Sequence, residues 1–149
     1  MNTYTEEVGS KLNSILEKTY DAEKGFKKAA ENVKNTALKN YFNSKAQERY
    51  DFGHELKSEI RTFGQEVDKG GSVAGSAHRT WMDIKSMFSF DDEESMLEEA
   101  IRGEKVAIEE YEDVIKETSL PSQTKALLEA QKNKIENGLK NIKSLEDIH

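Results

Sequence analysis

The chain has 149 residues, one proline, no cysteine and a formal net charge of −7. Its length suits a single domain, and the lack of cysteine excludes disulfides, thiolate metal sites and cysteine nucleophiles. Basic and acidic residues are interleaved throughout, and an acidic chain repels phosphate, so we expect no nucleic-acid partner.

Two long helices are predicted for the first half of the chain, over about residues 5–33 and 36–67. In both segments apolar residues recur at steps of three and four, which is the period of a helix with one buried face. The predicted inward residues are Val8, Leu12, Ile15, Leu16, Phe26, Ala30 and Val33 in the first helix, and Leu38, Tyr41, Phe42, Phe52, Leu56, Ile60 and Phe63 in the second. Because the connection is short, we expect antiparallel neighbours.

A glycine-rich break at residues 68–72 separates these helices from the second half of the chain. A short crossover helix is predicted over residues 72–88, with Trp81 packed against the bundle. A third main helix follows over 91–117, opened by a capping box of Asp91 and Glu94. The fourth spans 121–148, with Pro121 in its first turn. A helix pair, a long crossover and a second helix pair predict an all-α fold, the ferritin-like up-down four-helix bundle, as one domain over residues 1–149.

The sequence also bears on location and partners. The first eleven residues are polar and acidic with no apolar signal core, and no stretch has the roughly 20 apolar residues that span a bilayer. We therefore expect a cytoplasmic protein with no membrane partner. A homodimer through a helix face is plausible for a polar bundle, but no apolar patch identifies it or any other protein partner.

Some polar residues fall on the inward faces of the predicted helices. At about 100° per residue, Glu104 lies at the centre of the third helix's apolar stripe, and Glu23 lies within roughly 50° of the centre on the first. On the second helix Glu48 lies roughly 75° out, and Arg49 lies nearer the middle. A carboxylate on an apolar face is costly to bury unless something neutralises it. The sequence leaves two candidates for that partner.

The first candidate is a divalent metal ion. Di-iron and di-manganese bundles place one Glu on each of two helices and Glu-x-x-His on the other two. Here Asp51 stands where the second helix would need its histidine, and the fourth helix has Gln131 followed by Lys132. The metal hypothesis assigns an Fe or Mn cofactor to the ligands Glu23, Glu48, Asp51, Glu104 and Gln131.

The second candidate is a basic side chain. Arg49 or Lys132 would then reach the glutamates and form a buried polar layer with them. His54 lies nearly opposite the apolar stripe of the second helix, which favours a solvated surface histidine.

Several segments resemble one family of proteins. They are residues 21–26 (Asp-Ala-Glu-Lys-Gly-Phe), 46–49 (Ala-Gln-Glu-Arg), 71–85 (with Gly-Ser-x-x-Gly and His-Arg-x-Trp) and 102–104 (Arg-Gly-Glu). Together they are similar to an uncharacterised bacterial family of ferritin-like four-helix proteins, known as a domain of unknown function. The resemblance implies a bundle with a crossover, and its distant relation to ferritins and rubrerythrins implies metal-ligand positions at Glu23, Glu48 and Glu104. It implies no activity.

Three functional hypotheses follow. The first is a non-catalytic structural or interaction module, associated with stress, that contains a buried carboxylate layer. The second is a divalent-metal-binding protein. The third is a di-iron oxidase or peroxidase, which needs a fuller ligand shell than this sequence offers. We therefore predict no catalytic residue.

Overall fold

A computed structural model describes residues 3–67, 93–117 and 119–141 of the chain, with side chains over 6–67, 93–116 and 119–140. These residues form four helices and no strand, which confirms the predicted all-α class. The helices are α1 (Thr3–Asn32), α2 (Thr36–Thr62), α3 (Glu93–Glu117) and α4 (Ser122–Asn141). The predicted crossover helix over residues 72–88 lies outside the described residues, as do Asp91 and residues 142–148 of the predicted fourth helix.

The helices α1 and α2 form an antiparallel pair, as the short connection predicted. Phe26 packs on Phe42 with 6.2 Å between ring centroids near the connection, and Lys57 lies over the ring of Tyr20 further along. Asn35 caps α2, because its side-chain oxygen accepts a hydrogen bond from the Leu38 N–H at 2.9 Å. Such a cap satisfies one of the donors that a helix leaves free at its start.

The second helix ends at Thr62 rather than at Val67 as predicted. Gly64 has a φ of 71°, a left-handed conformation that glycine adopts without strain. Its N–H donates to Arg61 O at 2.9 Å, and the Gln65 N–H donates to Ile60 O at 3.3 Å. This is the Schellman arrangement that terminates helices. Phe63 and Val67, which the apolar period assigned to the helix, therefore lie after the end of α2.

The start of α3 lies beside the start of α2. The Glu93 carboxylate accepts hydrogen bonds from the backbone N–H groups of Lys34 and Asn35, at 2.5 and 2.9 Å. Further along, Glu104 contacts Arg49, so α2 and α3 run parallel. A helix rises about 1.5 Å per residue, so the end of α2 and the start of α3 lie at opposite ends of the pair.

The fourth helix runs antiparallel to both α2 and α3. Pro121 stands directly before it, and its carbonyl accepts from the Lys125 N–H at 3.0 Å. Thr124 bonds to Glu59 and Gln131 bonds to Glu55. Because residue numbers rise along α4 as they fall along α2, the two helices have opposite directions.

Two apolar clusters fill the bundle. One is formed by apolar side chains from the first half of α1, the second half of α2, α3 and α4. It includes Leu16, Phe52 and Leu128. The other lies near the α1–α2 connection and includes Phe26, Phe42 and Leu97. The described residues of the predicted apolar faces are buried or half-buried throughout. Burying each such large side chain contributes about 1.5–3 kcal/mol.

Candidate functional site

A buried ion pair lies between the two apolar clusters. Arg49 on α2 and Glu104 on α3 retain only 2% and 1% of their exposure. The two terminal guanidinium nitrogens of Arg49 face the two carboxylate oxygens of Glu104; Nη2 contacts Oε1, and Nη1 lies 3.4 Å from Oε2. This forked contact is the arrangement in which arginine binds carboxylates most specifically. Glu104 is therefore neutralised by a basic side chain.

Two further charged groups complete this cluster. Arg49 Nη1 donates to Glu48 Oε1 at 3.0 Å. Lys45 Nζ lies 3.6 Å from Glu48 Oε1 and 3.8 Å from Glu104 Oε2. One arginine and one lysine thus face two glutamates, and the opposite charges balance. Lys45 is itself 8% exposed, so three of the four groups are buried.

Arg49 joins the two apolar clusters as well as the charges. Its guanidinium carbon lies 5.6 Å from the ring centroid of Phe26 and 5.7 Å from that of Phe52, which belong to different clusters. Both distances fall in the cation–π range. Burial is the largest effect and would lower the pKa of Arg49, but the charges of Glu104, Tyr111 and Glu48 and the hydrogen bond to Glu104 together outweigh it, so the net pKa is raised. Arg49 is therefore a permanent cation at the centre of the bundle.

A hydrogen-bond chain beside the ion pair joins α2, α3 and α4 and lies next to Thr19 on α1. The Tyr111 hydroxyl on α3 donates to Gln131 Oε1 on α4 at 2.6 Å, and Gln131 Nε2 donates to Glu55 on α2 at 2.9 Å. The Thr19 side chain on α1 lies beside Tyr111, and its hydroxyl donates to Ile15 O at 2.8 Å. Burial raises the pKa of Tyr111, against the opposing effects of Arg49 and Thr19, so the phenol keeps its proton at neutral pH. We call Thr19, Lys45, Arg49, Glu104, Tyr111 and Gln131 the buried polar layer.

The structure brings two of the five predicted metal ligands together and gives the other three different partners. Glu48 and Glu104 meet at Lys45 and Arg49. Glu23 is half-buried and pairs with Lys27 at 2.9 Å. Asp51 is exposed and accepts from Gln47 at 3.1 Å, and Gln131 is buried in the hydrogen-bond chain. Within the described residues, no group of three or more His, Asp or Glu is placed to hold a metal ion.

The structure also places the two basic residues considered as partners for the glutamates, and the histidine of α2. Of the two basic partners considered, Arg49 reaches a glutamate of the interior. Lys132 instead lies 3.6 Å from Glu112 and 3.9 Å from Glu136, both more than a third exposed. His54 is exposed, as predicted, and its ring packs edge-on against Tyr50.

Sequence reasoning missed Lys45, Thr19 and the role of Tyr111. Lys45 precedes Glu48 by three residues and Arg49 by four, the spacings at which side chains share a helix face. That spacing is a signal, but it does not distinguish a buried lysine from a surface one. Tyr111 was assigned to the apolar stripe correctly, and its hydrogen bond depends on Gln131, whose position on α4 only the packed bundle fixes.

The geometry defines an all-α bundle with a self-neutralised ionic layer in its interior. In this layer each charged side chain contacts an opposite charge, and Tyr111 and Gln131 are hydrogen-bonded to each other. Residues 7–117 match the domain of unknown function DUF2383.

Because this match covers more than half of the chain, the protein belongs to the DUF2383 family, and the predicted membership of an uncharacterised family is confirmed. The matched region contains nearly all of α1 and the whole of α2 and α3, while α4 follows it. Among curated proteins, none matches the sequence. In the described part of the chain, no helix is long and apolar enough to cross a membrane.

Proposed function

We propose that this protein is a non-catalytic structural or interaction module, in which the buried polar layer fixes how four helices align. The observation that carries the proposal is the forked contact between Arg49 and Glu104, both almost fully buried. A buried ion pair adds little stability compared with apolar residues of the same size, but it penalises every alignment in which one charge loses its partner. We therefore infer that the buried polar layer selects one alignment of the four helices rather than adding to their stability.

The ferritin-like topology belongs to the same proposal. The parallel course of α2 and α3, with antiparallel helix pairs on either side, supports a bundle whose second and third main helices are joined by a long crossover. A ferritin-like relation, a cytoplasmic location and an association with stress extend the proposal beyond the fold, and each stays a prediction.

A divalent-metal site is the competing function, and one observation favours it. Glu48 and Glu104 come from different helices and lie within 4 Å of the same lysine nitrogen. A dinuclear site normally has four carboxylates and two histidines. The described residues offer two converging carboxylates with Lys45 and Arg49 between them, and these cations would have to leave before a metal ion could bind. The cluster as it stands does not fit a dinuclear metal site.

Elemental analysis separates the two functions. Protein would be purified from cells grown with iron, manganese and zinc, together with Glu104→Gln and, as a control, Glu109→Gln, which alters an exposed glutamate of the same helix. We expect less than one metal equivalent in all three proteins and no oxygen consumption with ferrous iron. A stoichiometric metal that Glu104→Gln loses and Glu109→Gln keeps would overturn the module proposal.

A further inference from the structure

A crevice lies between α1 and α3, directly beside the buried polar layer. Its volume is about 30 Å³, and its lining includes Thr19, Arg49 and Tyr111, all at least nine-tenths buried. Small residues of both helices, among them Ala22 and Gly103, leave the space between them. The crevice therefore brings three buried polar side chains to one small, partly open volume.

At its outer end the crevice is bordered by an ion pair. Lys18 on α1 contacts Glu110 on α3, and the two side chains are 30% and 24% exposed. Both residues line the crevice. Because the Glu110 carboxylate is partly withdrawn from solvent, burial raises its pKa even though Lys18 opposes the change. The Lys18–Glu110 pair thus stands between the surface and Arg49.

Size and charge decide what the crevice can hold. A cavity needs roughly 10–15 Å³ to hold one water molecule, so this one has room for about two. Its lining is mostly apolar, so any water would be held at the few polar groups that line it. The charges around it already balance, because Lys18 faces Glu110 while Lys45 and Arg49 face Glu48 and Glu104. An added ion would leave an unpaired charge in a buried place, which is costly. A neutral, water-sized molecule carries no such cost.

We propose that the crevice between α1 and α3 is a hydration site, where one or two ordered water molecules bridge Arg49, Thr19 and Tyr111. Buried water typically makes about three hydrogen bonds to polar groups. The Thr19 and Tyr111 hydroxyls donate to Ile15 O and Gln131, but each oxygen can still accept a hydrogen bond. Arg49 has five N–H donors, of which those on Nη1 and Nη2 contact Glu48 and Glu104. The water links the ion pair to the hydrogen-bond chain. It also makes the α1–α3 seam a wet interface, in contrast to the apolar contact between α1 and α2. The site does not depend on the module function and would persist in a metal-binding protein.

Oxygen-17 relaxation dispersion tests the proposal, because it counts internal waters that exchange slowly with solvent. Ala107 lines the crevice, so Ala107→Leu should fill it. The control is Ala126→Leu, the same change at an exposed position of α4. We expect wild type and the control to share one dispersion amplitude, and the filled variant to lose about one or two waters from it. An unchanged amplitude in the filled variant would overturn the proposal.

A second measurement needs no filled variant. In the wild-type protein, the Gly103 amide should show a rotating-frame Overhauser effect to water, because Gly103 lines the crevice. The amide of Gly53 serves as a control, since it is buried and faces Leu16 in the apolar core. If Ala107→Leu does not fold, Ala107→Val gives a smaller filling. A Gly103 amide without a water contact would refute the hydration site.

Discussion

Replacing Glu104 by leucine is the sharpest perturbation of the buried polar layer. In wild type, Glu104 accepts from Arg49 and lies 3.8 Å from Lys45. The substitution leaves two cations to share Glu48, which lies 3.0 Å from Arg49 and 3.6 Å from Lys45. Arg49 is 2% exposed, so bulk water cannot solvate its charge without opening the core, and the one or two neutral waters proposed beside it cannot balance that charge.

The expected loss follows from the cost of an unpaired buried charge. Removing one partner of such a pair destabilises proteins by about 3–5 kcal/mol, whereas replacing both by apolar residues is often neutral or stabilising. In the double variant Arg49→Met with Glu104→Leu, Lys45 and Glu48 remain as a balanced pair. We therefore expect the free energy of unfolding to fall by about 3–5 kcal/mol in the single variant and to return to within about 1 kcal/mol of wild type in the double variant.

Urea denaturation followed by far-ultraviolet circular dichroism measures both values. With a denaturant slope of about 2 kcal/mol per molar urea, the single variant should unfold at a urea concentration roughly 2 M lower than wild type. Glu109→Leu, at an exposed position of α3, is the matched control and should change stability by no more than about 0.5 kcal/mol. A Glu104→Leu protein as stable as the control, or a double variant as unstable as the single one, would refute the reasoning.

Three further predictions concern individual contacts. Tyr111→Phe removes the hydroxyl that donates to Gln131 and should cost about 1–3 kcal/mol in urea titrations, since a buried acceptor is left unpaired. Gly138→Ala would place a methyl carbon 2.4 Å from Lys45 Nζ. It should destabilise the protein in calorimetry, but stabilise a Lys45→Met background by about 0.5–1 kcal/mol through helix propensity. For Glu110 the raised pKa means that the folded state favours the protonated acid. That stability is present below the ordinary glutamate pKa and is lost as pH rises through the folded value. Glu110→Gln should therefore be more stable than wild type at pH 7, with the difference fading in acid.

Each of these predictions has a contrary outcome. A Tyr111→Phe protein with unchanged stability would show that the hydroxyl's hydrogen bond adds nothing to packing. If Gly138→Ala has the same sign in both backgrounds, Lys45 does not occupy the space beside that glycine. A Glu110→Gln protein that is less stable than wild type at pH 7 would mean that the pair with Lys18 outweighs the burial of the carboxylate.

The sequence predicts the helices well because their local signals agree. The apolar period of α1 and the short connection after it place the ends of α1 and the start of α2 within about two residues. The end of α2 is the exception. The apolar period continues to Val67, so it predicts too long a helix. The helix ends earlier because Gly64 adopts a left-handed backbone conformation, and this glycine is the single turn signal in that stretch.

The site was predicted in part. The 3.6-residue period is enough to identify Glu104 as inward and Arg49 as a candidate partner, because both follow from one helix at a time. It does not separate Glu23 from Glu104, although both lie near an apolar stripe. The partner of each carboxylate depends on what the neighbouring helix places beside it. Arg49 of α2 pairs with Glu104, whereas Glu23 pairs with Lys27 of its own helix. Such pairings between helices require the register of the packed bundle.

A crystal structure grown with manganese and ferrous iron, with anomalous scattering recorded for both, is the most direct test of how the interior acids are neutralised. We expect the Arg49 guanidinium against the Glu104 carboxylate, and no anomalous peak within about 2.6 Å of a carboxylate oxygen, the outer range for hard-cation contacts to oxygen. A metal ion bridging Glu48 and Glu104, with Arg49 turned away, would contradict the account.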